Sequence, residues 1–114
     1  MIYRYNEDNK SLKFITIQDK YTSIGKYAFR FHYNLRSIII PDSVKEIGDF
    51  AFCCCSKLST ITISTSVNEI KDGAFAYCSK LSSIIIPTSI SEIGDYAFSG
   101  CSNLNSINIP NTVT

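Results

Sequence analysis

The side chains with most chemical potential in this chain are five cysteines. Cys55, Cys78 and Cys101 recur at one position of a 23-residue spacing, whereas Cys53 and Cys54 fill neighbouring positions once. Thiols in such numbers form disulfides or bind zinc, but a ladder of equivalent positions does not converge on a tetrahedral centre. We interpret the cysteines as reduced thiols, three of them packed as small apolar side chains. A disulfide between neighbours stays open, because repeats stacked ~4.8 Å apart lie within disulfide range.

Carboxylates form two further columns at the same spacing. Carboxylates stacked ~5 Å apart are able to hold calcium. An aspartate before a short helical turn is also a good N-cap, and a glutamate beside it is also an ordinary solvated charge. We favour the second interpretation and predict no metal and no cofactor. The glutamates are Glu46, Glu69 and Glu92, and the aspartates are Asp49, Asp72 and Asp95.

The single histidine, His32, stands where the other repeats have cysteine. Its sequence neighbourhood lacks the Ser, Cys or Asp partner that a nucleophile–base pair requires, so we interpret it as a core or edge residue. Tyr27, Phe31 and Tyr33 surround it, and we favour packing over ligand binding for this aromatic group. The sequence therefore predicts no catalytic residues and no enzyme.

All of these residues are placed by one 23-residue motif, I-G-x-x-A-F-x-x-C-x-x-L-x-x-I-x-I-P-x-S-V-x-x. Four copies begin at Ile24, Ile47, Ile70 and Ile93, and no insertion or deletion interrupts them. A fixed period of this length indicates a solenoid in which each repeat is one coil stacked on the next. Solenoids present long ordered surfaces and seldom enclose a catalytic pocket.

Within one coil, the residue pattern predicts a strand, a turn, a second short strand and a short helix. Ile107 and Ile109 alternate with outward residues as in a strand, and Pro110 ends the pairing because it has no N–H. The segment from Val44 to Ile47 reads as the second extended piece. The expected fold is an α/β solenoid of about five coils.

The two ends of the chain differ from the repeats. Residues 1–11 read as an N-terminal capping hairpin strand and turn around Asn6-Glu7-Asp8-Asn9, and residues 12–114 as repeats. After Asn111-Thr112-Val113-Thr114 no polar capping unit follows, although terminal repeats normally need one. We therefore expect the last coil to belong to a longer array or to be covered by a partner, including a second copy of the chain.

Bulk composition excludes several classes of function. The chain has 11 basic and 10 acidic residues, without the basic excess that nucleic-acid binders carry. Its apolar runs, such as Ile38–Ile40, are far too short to span a bilayer. The opening MIYRYNEDNKSLKF has no apolar region of the signal-peptide type. We predict no nucleic-acid partner and no membrane span.

The repeated motif resembles the BspA-type leucine-rich repeat over residues 12–114. The similarity lies in the Ile-Pro pairs (such as Ile40-Pro41), in the Ala-Phe pair of all four copies, and in Cys-x-x-Leu in three copies. Ser64, Lys71 and His32 are mild departures from the pattern. The resemblance implies a right-handed horseshoe with a parallel strand ladder on its concave side and short helical turns on its convex side. It also implies a secreted or cell-surface protein that attaches to host or extracellular-matrix proteins.

The outward strand positions form the candidate binding face, because leucine-rich repeats usually bind through their concave side. This face is mostly small and hydroxylic, and its candidate residues are Phe14, Thr16, Arg36, Ser37, Ile39, Thr60, Thr62, Ser83, Ile85, Ser106 and Asn108. Serine and threonine also suit solvent-exposed strands without any binding role. Two hypotheses follow: a non-enzymatic protein-recognition or adhesion module, and a structural spacer or array segment with no partner of its own.

Overall fold

The computed structural model describes residues 1–105 and 107–111, and it is built from two parallel β-ladders that run along the stack. The five-stranded ladder has the order β1-β3-β5-β7-β8, and the three-stranded ladder has the order β2-β4-β6. The strands are β1 Ile2–Tyr3, β2 Phe14–Thr16, β3 Ser23–Ile24, β4 Ser37–Ile39, β5 Glu46–Ile47, β6 Thr60–Thr62, β7 Glu69–Ile70 and β8 Glu92–Ile93. One 3-10 helix spans Glu7–Asn9.

The register of both ladders follows the sequence repeat. Ile38 of β4 pairs with Ile61 of β6, and Ile47 of β5 pairs with Ile70 of β7. Equivalent side chains therefore stack directly on one another from coil to coil, as the constant spacing predicts. The parallel-strand solenoid is confirmed, with about four turns where the sequence suggested about five.

The predicted N-terminal hairpin is wrong. β1 pairs in parallel with β3, and β2 pairs in parallel with β4, so β1 and β2 belong to different ladders. The reason lies in the polar connection, where the Asn6 side chain accepts the Asp8 N–H and starts the 3-10 helix instead of a tight reversal. Ile2–Tyr3 thus forms the first rung of the five-stranded ladder. That residues 1–11 act as a cap stays a prediction.

The predicted short helices are replaced by turns that hydrogen-bond to the next coil, and no α-helix occurs among the described residues. The Phe29 N–H donates to the Ala51 carbonyl at 2.7 Å, and the Phe52 N–H donates to the Ala74 carbonyl at 2.8 Å. A regular helix would direct these N–H groups along its own axis. Here left-handed residues, such as Phe50 with φ of 54°, interrupt the right-handed run and turn the donors outward.

The core is a set of side-chain ladders between the two strand ladders and the turns. The Phe29 and Phe52 rings stack 5.1 Å apart with an interplanar angle of 5°, and the Phe52 and Phe75 rings stack 5.2 Å apart at 0°. Tyr3 extends this column at the N-terminal end, 4.8 Å from the Phe29 ring. Each ring covers the face of its neighbour, so a single coil exposes its core until the next coil is added.

Candidate binding face

The three-stranded ladder displays most of the predicted binding residues on one exposed face. Phe14 is 68% exposed and Ile39 is 56% exposed, while their strand neighbours Ile38 and Ile61 are buried. Ser37 is half-buried between them. Register places Phe14, Ser37 and Thr60 in one row and Thr16, Ile39 and Thr62 in another. The other exposed candidates are Arg36, Ser83, Ile85 and Asn108, and Ser106 lies outside the described residues.

The predicted rows do not continue as a hydrogen-bonded ladder into the fourth coil. Residues 83–85 form no strand, although β7 and β8 remain paired on the other ladder. Thr60, Thr62, Ser83 and Ile85 together line a cavity of about 230 Å³. Ile85 is 84% exposed beside this cavity. The face is therefore a paired ladder over three strands followed by a cleft, and the structure does not join Asn108 to it by strand pairing.

A basic edge, defined by Arg36, Lys57 and Lys80, borders the same face. These cations and Ser59 line a cavity of about 330 Å³. Within residues 1–105 and 107–111, none of the three pairs with a carboxylate. Of these three cations, the sequence pattern predicts only Arg36 as part of the binding face. The signal for the others was present, because Lys57 and Lys80 occupy one repeat position.

The carboxylate columns lie on the five-stranded ladder and the adjoining turns. Glu46, Glu69 and Glu92 are in register, and the Lys71 ammonium lies 3.7 Å from a Glu46 oxygen. The predicted N-cap role of the aspartates is wrong, because their carboxylates accept N–H groups of the next coil and not of a helical turn in their own coil. The Asp72 N–H donates to the Asp49 carboxylate at 3.2 Å, and the Asp95 N–H donates to the Asp72 carboxylate at 2.8 Å. These aspartates therefore bridge successive coils.

The described part of the chain holds no group of three or more His, Cys, Asp or Glu side chains arranged for a metal ion. His32 is a core residue, as expected. Its Nδ1 lies 3.2 Å from the Arg30 carbonyl, and its Nε2 is buried without a hydrogen-bond partner. Burial lowers the pKa of His32, so the imidazole stays neutral at physiological pH.

The aromatic group beside His32 is partly exposed, which the sequence did not indicate. Tyr27 and Phe31 line a cavity of about 260 Å³ together with Tyr5, Lys10 and Arg30. The Arg30 guanidinium carbon lies 4.3 Å from the centre of the Tyr27 ring and 4.7 Å from that of Phe31. These distances are typical of cation–π contacts, so Arg30 holds the two rings together.

The repeated cysteines are free thiols. The Sγ atoms of Cys55, Cys78 and Cys101 each lie 3.1 Å from a carbonyl oxygen of the preceding coil. Burial raises the pKa of Cys55 to about 12 and also raises the pKa of Cys78 and of Cys101. Such thiols are protonated donors and poor nucleophiles at neutral pH.

Parallel strand ladders joined by turns, with Leu, Ile and Phe stacked at equivalent positions of successive coils, define a leucine-rich-repeat protein. The chain belongs to the family of the BspA type leucine rich repeat region, whose model matches residues 1–114 in six copies. No curated protein matches this chain. In the described residues no helix is long and apolar enough to cross a membrane.

Three solved bacterial structures show the same architecture. A leucine rich cell surface protein from Faecalibacterium prausnitzii is 38% identical with a TM-score of 0.88, over 91% of this chain and 27% of that one. A leucine-rich repeat protein from Bacteroides ovatus is 36% identical with a TM-score of 0.85, and the match covers 99% of this chain and 31% of that one. A leucine rich repeat protein from T. pallidum is 27% identical with a TM-score of 0.90, and the match covers 98% of this chain and 59% of that one. The chain thus spans less than two thirds of each.

Proposed function

We propose that this chain is a non-enzymatic recognition and adhesion module of a bacterial-type cell-surface protein, which binds proteins through the face of the three-stranded ladder. The observation that carries the proposal is the exposure of Phe14, Ile39 and Ile85 on a face whose alternate residues are core. Large apolar side chains exposed on one common face are typical of interaction sites. The small hydroxylic residues between them leave room for a partner to approach the backbone closely.

The basic edge adds a charge preference to this face. Arg36, Lys57 and Lys80 have no described carboxylate partner, whereas the acidic columns lie on the other ladder. A protein with acidic residues beside an apolar patch would complement both features. Such complementarity acts mainly on the association rate and on specificity. The location at a cell surface is supported by the similar cell-surface protein from Faecalibacterium prausnitzii.

The test is binding of the purified chain to a panel of immobilised extracellular-matrix proteins, measured by biolayer interferometry. A variant that combines Ser37→Glu, Thr60→Glu and Ser83→Glu places three charges on the face. We expect at least a tenfold loss of affinity, because each bulky charge must be desolvated against the partner. The matched control combines Gln18→Glu, Thr65→Glu and Thr88→Glu at exposed positions outside the strands.

Equal losses in the two triple variants would overturn the assignment of the face. Wild-type chain that binds no member of the panel would overturn the recognition role for matrix proteins. Circular dichroism and a thermal melt of each variant separate loss of binding from loss of folding, since all six positions are exposed or half-buried.

A second proposal is end-to-end self-association through the last described coil, as expected of a spacer or array segment. Phe98 and Leu104 are half-buried, whereas Phe75 and Leu81, one coil earlier, are buried. A further coil would complete the Phe stack, which ends with the Phe75 and Phe98 rings 5.6 Å apart. Light scattering after gel filtration tests this proposal. Mass that rises with concentration supports it, and a monomer at all concentrations contradicts it.

A further inference from the structure

Two adjacent cysteines form a pair that the repeat pattern does not explain. The Sγ atoms of Cys53 and Cys54 lie 3.1 Å apart, and both thiols are free. No other coil has a thiol at either position. The equivalent pairs are Arg30-Phe31, Ala76-Tyr77 and Ser99-Gly100.

We propose that Cys53 and Cys54 are a modification site at which peroxides close a reversible vicinal disulfide. Cys54 is half-exposed on the turn side of the coil, whereas Cys53 is only 8% exposed. Cys54 is therefore the thiol that a small oxidant reaches first, and Cys53 is the resolving thiol already in contact with it. Cys55 is excluded from the pair because its thiol points into the core and donates to the Phe29 carbonyl.

The chemistry uses hydrogen peroxide as the two-electron oxidant. The Cys54 sulfur attacks one peroxide oxygen, the O–O bond breaks, and sulfenic acid and one water form. The Cys53 sulfur then attacks the Cys54 sulfur, and the S–OH oxygen leaves as a second water with the Cys53 proton. Two thiols are oxidised to one disulfide, and one peroxide is reduced to two waters.

Burial raises the pKa of Cys53 to about 12, so this thiol is a poor first nucleophile towards peroxide. Its attack on the Cys54 sulfenic acid depends instead on the 3.1 Å contact between the two sulfur atoms. The Arg30 side chain, which occupies the equivalent position one coil earlier, opposes this shift by favouring the thiolate. Because the two sulfur atoms are already in contact, the second step is intramolecular, and its main cost lies in the peptide between the two residues.

The peptide group between the two cysteines is held by both neighbouring coils. The Phe31 N–H donates to the Cys53 carbonyl at 3.1 Å, and the Cys54 N–H donates to the Ala76 carbonyl at 2.9 Å. Adjacent Cα atoms are ~3.8 Å apart across a trans peptide, which is shorter than the usual disulfide span. Ring closure must therefore twist this peptide against its two hydrogen bonds. Strained disulfides are readily reduced, so the bond should open again under mild reductant.

The test treats the folded chain with hydrogen peroxide and maps tryptic fragments by mass spectrometry. We expect the fragment of residues 46–57 to lose two hydrogen atoms and to regain them with dithiothreitol. Cys53→Ser and Cys54→Ser should each abolish the loss, whereas Cys55→Ser should retain it. A loss that persists in either of the first two variants, or a wild type that goes straight to sulfinic acid, overturns the proposal.

Phenylarsine oxide gives a second readout without an oxidant. It condenses with two thiols into a cyclic dithioarsenite and releases one water, and this adduct should survive an excess of a monothiol. Wild type and Cys55→Ser should each retain one arsenical at residues 46–57, and Cys53→Ser and Cys54→Ser should retain none. A wild type that captures no arsenical at this fragment contradicts the pairing of the two thiols.

Discussion

The Sγ atom of Cys78 lies 3.1 Å from the carbonyl oxygen of Phe52, so the thiol donates a hydrogen bond to the preceding coil. Cys55 makes the equivalent bond to Phe29. The repeated cysteine is therefore more than a small apolar filler, since it joins the turn of one coil to the backbone beneath it. This role needs a protonated, reduced thiol at each position.

Removing this thiol should weaken the stack. Cys78→Ala deletes the hydrogen bond and leaves a small gap, and we expect the free energy of unfolding in urea to fall by about 1–2 kcal/mol. Cys54→Ala is the control, because Cys54 is half-exposed and donates no such bond. Equal stability of the two variants would mean that the Cys78 contact contributes nothing measurable.

Stability should fall at alkaline pH because the buried thiols resist ionisation. The ordinary thiol pKa is 9.0, and that of Cys55 is raised to about 12, so above pH 9 the unfolded chain releases protons that the folded chain keeps. The stabilisation is complete below pH 9 and is lost as pH rises towards 12. Each such thiol contributes a slope of up to about 1.4 kcal/mol per pH unit.

Urea unfolding across this alkaline range measures the slope. Cys78→Ala should show a shallower decline than wild type, since burial raises the pKa of Cys78 as well. Ser102→Ala, at an exposed position of the last coil, should keep the wild-type slope. Identical slopes in wild type and Cys78→Ala would contradict the assignment.

Gly73 should be intolerant of a side chain because Phe50 packs against it. The residue has a φ of 62°, and an added Cβ would clash with the Phe50 ring. We expect Gly73→Ala to cost at least about 1–2 kcal/mol from the left-handed backbone alone, with a further term for displacing the ring. A double-mutant cycle with Phe50→Ala isolates that term, and thermal melts showing strictly additive effects would exclude the ring contact.

Charge at the basic edge should govern the rate of partner binding. Lys57→Glu with Lys80→Glu should lower the association rate constant about tenfold at low salt, with a smaller change in dissociation. The control is Lys20→Glu with Lys45→Glu, which makes the same change in net charge at other exposed positions. Association kinetics at several salt concentrations provide the measurement. A similar fall of the association rate constant in both variants would mean that the net charge of the chain, and not the basic edge, governs the rate.

The sequence predicted the solenoid and its register because one spacing repeats without interruption. It did not predict the turn conformation, because left-handed residues such as Tyr27 and Phe50 are of types that normally avoid that region, and only Gly73 and Gly100 hint at it. The hairpin prediction failed because Ile2-Tyr3 pairs in parallel with Ser23-Ile24 in the next coil and not with the strand that follows it in sequence.

Only part of the candidate site could be predicted from the sequence, because contacts between coils bring together residues that are far apart in the chain. Alternation in the strands identified Phe14 and Ile39 as outward residues, and the structure exposes both. The basic edge was missed because Lys57 and Lys80 lie in turns outside the strands and meet Arg36 only through coil stacking. The alternation of residues within one strand does not show which turn residues of successive coils lie beside one another.

Photo-cross-linking from the ladder face tests the central claim most directly. A benzophenone side chain placed at Thr62 would project from the centre of the face, and one placed at Thr88 would project from an exposed turn. With a matrix protein that the wild-type chain binds, we predict efficient cross-linking from Thr62 and background cross-linking from Thr88. Equal yields from the two positions, or a higher yield from Thr88, would contradict binding through the face of the three-stranded ladder.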